Sequence, residues 1–171
     1  MTRIGLLSDT HGFLDEAVFD SFAGCEEVWH AGDIGAAAVA DRLAAFRPLR
    51  AVYGNIDDAA LRRRFPEDLR FTLEGVDVLI THIGGYPGRY NARIRRLLAA
   101  DPPDLFICGH SHVLKVMPDR RHHLLHINPG ACGHRGFHKM RTLVRFSLAG
   151  GKISDLQVIE LGKRGALANG E

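Results

Sequence analysis

Residues 4–12 read Ile4-Gly5-Leu6-Leu7-Ser8-Asp9-Thr10-His11-Gly12: a short apolar run that ends on a carboxylate and an imidazole beside a glycine. The pattern recurs along the chain. Val28-Trp29 runs into His30-Ala31-Gly32-Asp33, residues 49–53 into Gly54-Asn55, residues 76–80 into Thr81-His82, and residues 105–108 into Gly109-His110-Ser111-His112. Short apolar runs of this kind are buried strands. Between them lie helical patterns. Val39, Leu43 and Phe46 fall at i, i+4 and i+7 within residues 36–46, and Tyr90, Ile94, Leu97 and Leu98 form a stripe in 89–98, stopped by Asp101-Pro102-Pro103. Alternating strands and helices predict a largely parallel α/β arrangement.

After about residue 112 the texture changes. Runs 113–118, 122–127, 141–149 and 152–161 read as strands, with a hairpin turn at Ala149-Gly150-Gly151-Lys152. This half is expected to add a more antiparallel sheet. His122 and His126 are read as sharing one strand face, His123 the other, all three structural. Trp29 and Phe106 are expected in the core.

At 171 residues the chain is one domain's worth and long enough for a core without disulfides. Charged residues are 25% and hydrophobic residues 46%, which excludes disorder, collagen and a disulfide scaffold. A net charge of +2 gives no electrostatic case for nucleic acid or a membrane surface. Cys25, Cys108 and Cys132 have no CxxC spacing and read as reduced thiols of a cytoplasmic protein. The N-terminal apolar run is too short for a signal peptide, and no run is long enough to span a bilayer. Residues 1–162 are expected as a single domain and 163–171 as a flexible tail. Histidine stands out, with ten in the chain, eight of them between His82 and His138.

Ligands of open α/β sheets bind beyond the carboxyl ends of the strands. The strand-end residues Asp9, His11, Asp33, Asn55, His82, His110 and His112 are therefore expected to converge. Taken alone, each has a plain alternative; Asp9 would serve equally as the cap of a helix at 13–23. Taken together, these oxygen and nitrogen donors, with no thiolate, exceed one tetrahedral site. They suit two six-coordinate cations of the Mn, Fe, Co, Ni or Zn type sharing a carboxylate. Two such ions clamp a phosphate and generate a bridging hydroxide.

In this order, Asp9-Thr10-His11, Gly32-Asp33, Gly54-Asn55, Thr81-His82 and Gly109-His110-Ser111-His112 resemble the motifs of calcineurin-like metallophosphoesterases. With Asn128-Pro129-Gly130, the chain is similar to their small prokaryotic phosphodiesterase branch, over residues 4 to about 146. The resemblance implies a four-layer αββα sandwich of two mixed β-sheets flanked by helices. It implies that Asp9, His11 and His112 hold one metal, that Asn55, His82 and His110 hold the other, and that Asp33 bridges them. Asp33, Asn55 and His82 are the expected catalytic residues, and Mn is the first expected metal, with Fe, Zn, Ni or Co as alternatives. The implied reaction is hydrolysis of a phosphodiester or an activated phosphomonoester by a metal-bridging hydroxide.

The chain departs from the family twice. Ile56 stands where many members have a His after Gly-Asn, and Gly84 where branch members often have another. Both changes bear on protonation of the leaving group. Further candidates are Arg135, in the Gly-rich stretch 128–136, and Arg89, after Gly84-Gly85-Tyr86-Pro87-Gly88; each is expected either to meet substrate phosphate or to be solvated. Cys132 and His134 share the first of these stretches, His138 and Lys139 follow it directly, and His30 is a candidate partner of Asp33. Arg62-Arg63-Arg64 reads as a solvated face rather than a nucleic-acid contact. The expected partner is a small phosphoester, with no membrane; the oligomeric state, a homo-oligomer included, is left open. Rival readings are a protein-binding scaffold, as in the retromer subunit that resembles this family, and a nuclease or nucleotide phosphohydrolase.

Overall fold

The computed structural model describes residues 1–165. Two five-stranded sheets pack face to face. In chain order the elements are β1 (Thr2–Leu7), α1 (Ala17–Ser21), β2 (Glu27–His30), α2 (Ala37–Phe46), β3 (Leu49–Ala51), α3 (Ala59–Arg64), β4 (Asp68–Leu73), β5 (Val76–Thr81), α4 (Ala92–Ala100), β6 (Leu105–Ile107), β7 (Lys115–Asp119), β8 (Leu124–Asn128), β9 (Met140–Ala149) and β10 (Lys152–Lys163).

The first sheet runs β10-β9-β1-β2-β3 and the second β4-β5-β6-β8-β7. Both are mixed. β1, β2 and β3 are parallel, as are β5, β6 and β8, while β9, β10, β4 and β7 pair antiparallel on their flanks. The late strands therefore do not form the separate antiparallel sheet expected of them. β9 joins the first sheet beside β1, and β7 and β8 join the second.

Strand alternation builds the layers. Ile4 and Leu6 of β1, Val78 and Ile80 of β5, and Leu105 and Ile107 of β6 enter one core between the sheets, together with Trp29, Val144 and Phe146. The intervening residues face outward. Leu7 and Val28 meet Val18, Phe22 and Leu43 of the α1 and α2 layer, and Leu79 and Phe106 meet Ile94 and Leu98 of α4. These layers make the four-layer αββα sandwich. Trp29 and Phe106 are core residues, as expected, and each such buried side chain contributes roughly 1.5–3 kcal/mol.

Several expectations change. The helix expected at 13–23 shrinks to α1, where Asp15 accepts the Ala17 N–H at 2.9 Å, and Asp9 caps nothing. The 89–98 helix starts at Ala92, because residues 86–89 form a turn and Asn91 Oδ1 accepts the Ile94 N–H. Two elements were not anticipated, β4 and α3; α3 is capped by Asp58, which accepts the Leu61 N–H. His122 and His123 sit in the turn before β8, not on a strand. The hairpin at 149–152 is as expected, with Gly150 and Gly151 at positive φ. Of the expected tail, Lys163 closes β10, Arg164 donates to Lys139 and His138, and residues 166–171 lie outside the described residues.

Candidate metal centre

All seven strand-end candidates meet where the carboxyl ends of the two sheets face each other. The first sheet brings Asp9 and His11 after β1, Asp33 after β2 and Asn55 after β3; the second brings His82 after β5 and His110 and His112 after β6. Five of them, Asp9, His11, Asp33, His110 and His112, have positive φ, from 48° to 71°. Non-glycine residues rarely adopt this conformation, and such strain clusters at functional sites. The other three such residues among those described, Glu74, His123 and Asp155, lie in turns or at an irregularity of β10.

Two donor groups result. One is Asp9, His11 and His112; the other is Asp33, His82 and His110. Asn55 completes the second, its Oδ1 lying 3.1 Å from His82 Nε2 and 3.0 Å from His110 Nδ1. Asp33 Oδ2 stands between the groups, 3.2 Å from His82 Nε2 and 3.4 Å from His11 Nε2. His112 Nε2 is 3.1 Å from Asp9 Oδ1.

The donors fit divalent cations. Asp9 is fully buried with no Lys or Arg paired to it, and its Oδ1, like His11 Nε2, has no hydrogen-bond partner. An unpaired buried polar atom is costly unless a ligand takes it. His82 Nδ1 donates to the Ala31 carbonyl at 2.8 Å, which orients the ring with Nε2, the nitrogen left for a cation, toward Asp33 and Asn55. Burial opposes the charge of Asp9, but His11, His112 and His82 hold its carboxyl far below the usual range. Asp33 is lowered too, against burial, mainly by His82. His82 itself is raised, because Asp33 and Asp9 outweigh burial.

Close approach explains two of the adjoining glycines. A Cβ on Gly54 would lie 2.0 Å from Asp33 Oδ1, and one on Gly109 would lie 2.2 Å from Ser8 Oγ.

A supporting layer holds the loops. Asp57, 4% exposed, accepts from Ile34 N, Gly35 N and Gly54 N, and so ties the Asp33 loop to the Asn55 loop. Its signal in the sequence was a carboxylate two residues after Asn55. His30 makes no hydrogen bond to Asp33. Its Nδ1 accepts from Gly32 N, so the neutral ring donates from Nε2 to Thr10 Oγ1, which donates to Ile34 O. Burial pushes His30 down to about 4 and keeps it neutral. Ser8 and the His110 N–H both donate to Asp9 Oδ2. Asn128 donates to Gly109 O and Ser111 Oγ, fixing the loop of His110 and His112.

The remaining candidates separate. Arg89 is exposed on the rim of a pocket beside His110. Arg135 is exposed in the β8–β9 loop, next to Gly136, which abuts His112. Neither side chain makes a hydrogen bond or ion pair among the described residues. His138 packs its ring 5.2 Å from that of His112, and His134 packs on Phe13. Cys108 and Cys132 are buried, and burial pushes both thiols up to about 12, so neither is a nucleophile. In the basic run, Arg62 donates to the Asp57 and Asn55 carbonyls and Arg64 pairs with Asp41; both are occupied internally. Ile56 is 45% exposed and contributes its backbone N–H to Asp33 Oδ1. Among the described residues no helix is long and apolar enough to cross a membrane.

Residues 2–151 match the sequence model of the calcineurin-like phosphoesterase superfamily domain. The chain is 30% identical to a probable metallophosphoesterase of Methanothermobacter thermautotrophicus, over 75% of this chain and 76% of the relative. Its fold resembles a solved archaeal phosphodiesterase, with a TM-score of 0.75, 22% identity, and coverage of 93% of this chain and 99% of the other. It also resembles Vps29 of Chaetomium thermophilum, with a TM-score of 0.73, 14% identity, and coverage of 96% and 100%.

Proposed function

The chain belongs to the calcineurin-like phosphoesterase superfamily, and from that premise we propose that it is a binuclear metal-dependent phosphodiesterase that also accepts activated phosphomonoesters. The observation that carries the reading is Asp33 Oδ2, placed within 3.4 Å of imidazoles from both donor groups. Asp9, His11 and His112 would hold one cation, Asn55, His82 and His110 the other, and Asp33 both. Mixed imidazole and carboxylate donors suit Mn first, then Fe, Zn, Ni or Co. When bound, the two cations supply a clamp for the phosphate oxygens and a water acidic enough to attack phosphorus near neutral pH.

The chain's own part is placement and charge. The buried carboxylates of Asp9 and Asp33 would anchor the cations, on backbone held at positive φ. Asn55 and His82 would hold the second cation beside Asp33. Arg89 and Arg135, free of internal ion pairs among the described residues, are the side chains assigned to the phosphate oxygens. Buried, unpaired Cys25, Cys108 and Cys132 support a reducing, cytoplasmic setting. The internal engagement of Arg62 and Arg64 argues against a nucleic-acid partner.

The test is hydrolysis of bis-p-nitrophenyl phosphate by metal-stripped protein, before and after adding Mn²⁺. Turnover that appears only with metal supports the reading. A folded protein that binds two ions and hydrolyses no phosphoester with any first-row metal overturns it. It would favour the rival, a protein-binding scaffold, for which the fold likeness to Vps29 and Phe137, wholly exposed on the β8–β9 loop, both speak.

A further inference from the structure

Residues 133–138 of the β8–β9 loop read Gly133-His134-Arg135-Gly136-Phe137-His138. The loop turns its most apolar side chain out and its last imidazole in. Phe137 is wholly exposed, whereas His138 Nδ1 is buried without a hydrogen-bond partner. A phenylalanine would fill the inward position with no polar atom to satisfy, and a buried unpaired nitrogen is costly. Hydrophobicity does not account for this order.

The contacts of His138 run to two of the seven donors. Its Nε2 donates to the Gly133 carbonyl at 2.8 Å, and Gly133 N donates to the Asp9 carbonyl at 3.1 Å. Its ring also meets that of His112, with centroids 5.2 Å apart and planes at 75°. Gly136 adjoins the same contact. A Cβ there would lie 2.2 Å from His112 Nδ1 and 3.3 Å from His138 Nδ1, and the backbone stands at φ 123°, so glycine lets the loop approach this closely. His112 Nε2 faces Asp9 Oδ1 at 3.1 Å. Asp9 follows a strand of the first sheet and His112 a strand of the second, and the loop reaches both.

We propose that His138 is a positioning residue of the metal centre. It fastens the His112 ring to the Asp9 backbone, by way of Gly133, and so sets the spacing of two ligands that come from different sheets. In the neutral ring Nε2 carries the proton that the Gly133 carbonyl accepts, so Nδ1 holds a lone pair. That nitrogen borders the same space at Gly136 as His112 Nδ1, which keeps its proton when Nε2 binds a cation. The inference rests on the metal-centre reading and adds to its seven donors a residue that touches no cation.

Mn²⁺ binding by metal-stripped protein tests this without turnover. His110→Ala isolates the cation of Asp9, His11 and His112, and the loop variants are made in that background. His138→Ala should weaken affinity for this cation about 10–100-fold, the usual cost of removing the support of a ligating imidazole. His138→Phe, which keeps a ring against His112 but donates nothing to Gly133, should fall between. His134→Ala, in the same loop with its ring packed on Phe13, should leave affinity as it is. Thermal melts of the metal-free variants check that each is folded. With His110 restored and His112→Ala in its place, His138→Ala should not alter binding of the cation that remains. The inference is overturned if His138→Ala leaves affinity unchanged, if His134→Ala weakens it equally, or if the loss persists without His112. His138→Phe that binds as tightly as His138 overturns the link through Gly133. Wild-type protein that binds no Mn²⁺ overturns the metal centre itself, and the inference falls with it.

Discussion

The two sheets meet at the site with different donors. The first supplies every oxygen ligand, Asp9, Asp33 and Asn55, plus one imidazole, His11; the second supplies imidazoles alone, His82, His110 and His112. The carboxylates are buried and braced, whereas His110 is exposed. The first rim is also tied along its own length, by His11 N to Asp33 O and by Asp57 across to Gly54. The rims are joined by hydrogen bonds from His110 N to Asp9 Oδ2, Gly133 N to Asp9 O and His82 Nδ1 to Ala31 O, and by the approach of the second rim's imidazoles to Asp9, Asp33 and Asn55. Neither sheet holds a complete donor set. The first is an anionic seat, and the second a set of imidazoles that completes it.

If Asp33 is the shared element, Asp33→Ala should remove both cations and lower kcat/KM by about 10³-fold or more, since each metal supplies several kcal/mol. His110→Ala should remove only one. Elemental analysis of the two purified variants breaks the comparison if both lose the same single ion.

The four imidazoles of the two donor groups are assigned to the cations, and Ile56 offers none to the leaving group. Rates are therefore expected to fall steeply as leaving-group pKa rises across a series of aryl diesters. Ile56→His, at an exposed position, should speed the poorest members by about 10²-fold. A flat series for the wild type would show that another group donates the proton.

Bracing of the first rim is tested at Asp57. Asp57→Ala strands three backbone N–H groups and should cost about 2–3 kcal/mol in urea melts, with a 10–100-fold loss of metal affinity. Unchanged affinity would mean that the ligands hold their own loops.

The smallest effect is on pH dependence, and one of its two buried, strongly shifted histidines lies on each sheet. His30 and His126 have folded pKa values near 4, against an ordinary value of 6.5. Their stabilisation is complete above 6.5. As pH falls toward 4 the unfolded chain takes up protons that the fold refuses, and stability is lost. Urea midpoints of metal-free protein should fall across that window, less steeply in His126→Leu. An identical slope in the variant would remove His126 from the account.

The convergence of the seven donor residues was legible in the sequence because strands of a layered α/β fold expose their carboxyl ends together, so an apolar run before each polar pair was enough. Their left-handed backbone was not legible, since only Gly announces positive φ. Asp9 read equally well as a helix cap until the structure gave its Oδ2 to Ser8 and His110. β4 was missed although Leu69, Phe71 and Leu73 alternate toward the core, because Asp68 and Arg70 between them masked a flanking strand. The sheet assignment of the late strands failed because hairpins are local but sheet membership is tertiary.

The central claim is a pair of cations sharing Asp33. Anomalous diffraction at the Mn edge, from crystals of the Mn-loaded protein, tests it directly. The account predicts two peaks about 3.5–4 Å apart, one on either side of Asp33 Oδ2. A single peak, or two peaks of which one does not touch Asp33, would contradict it.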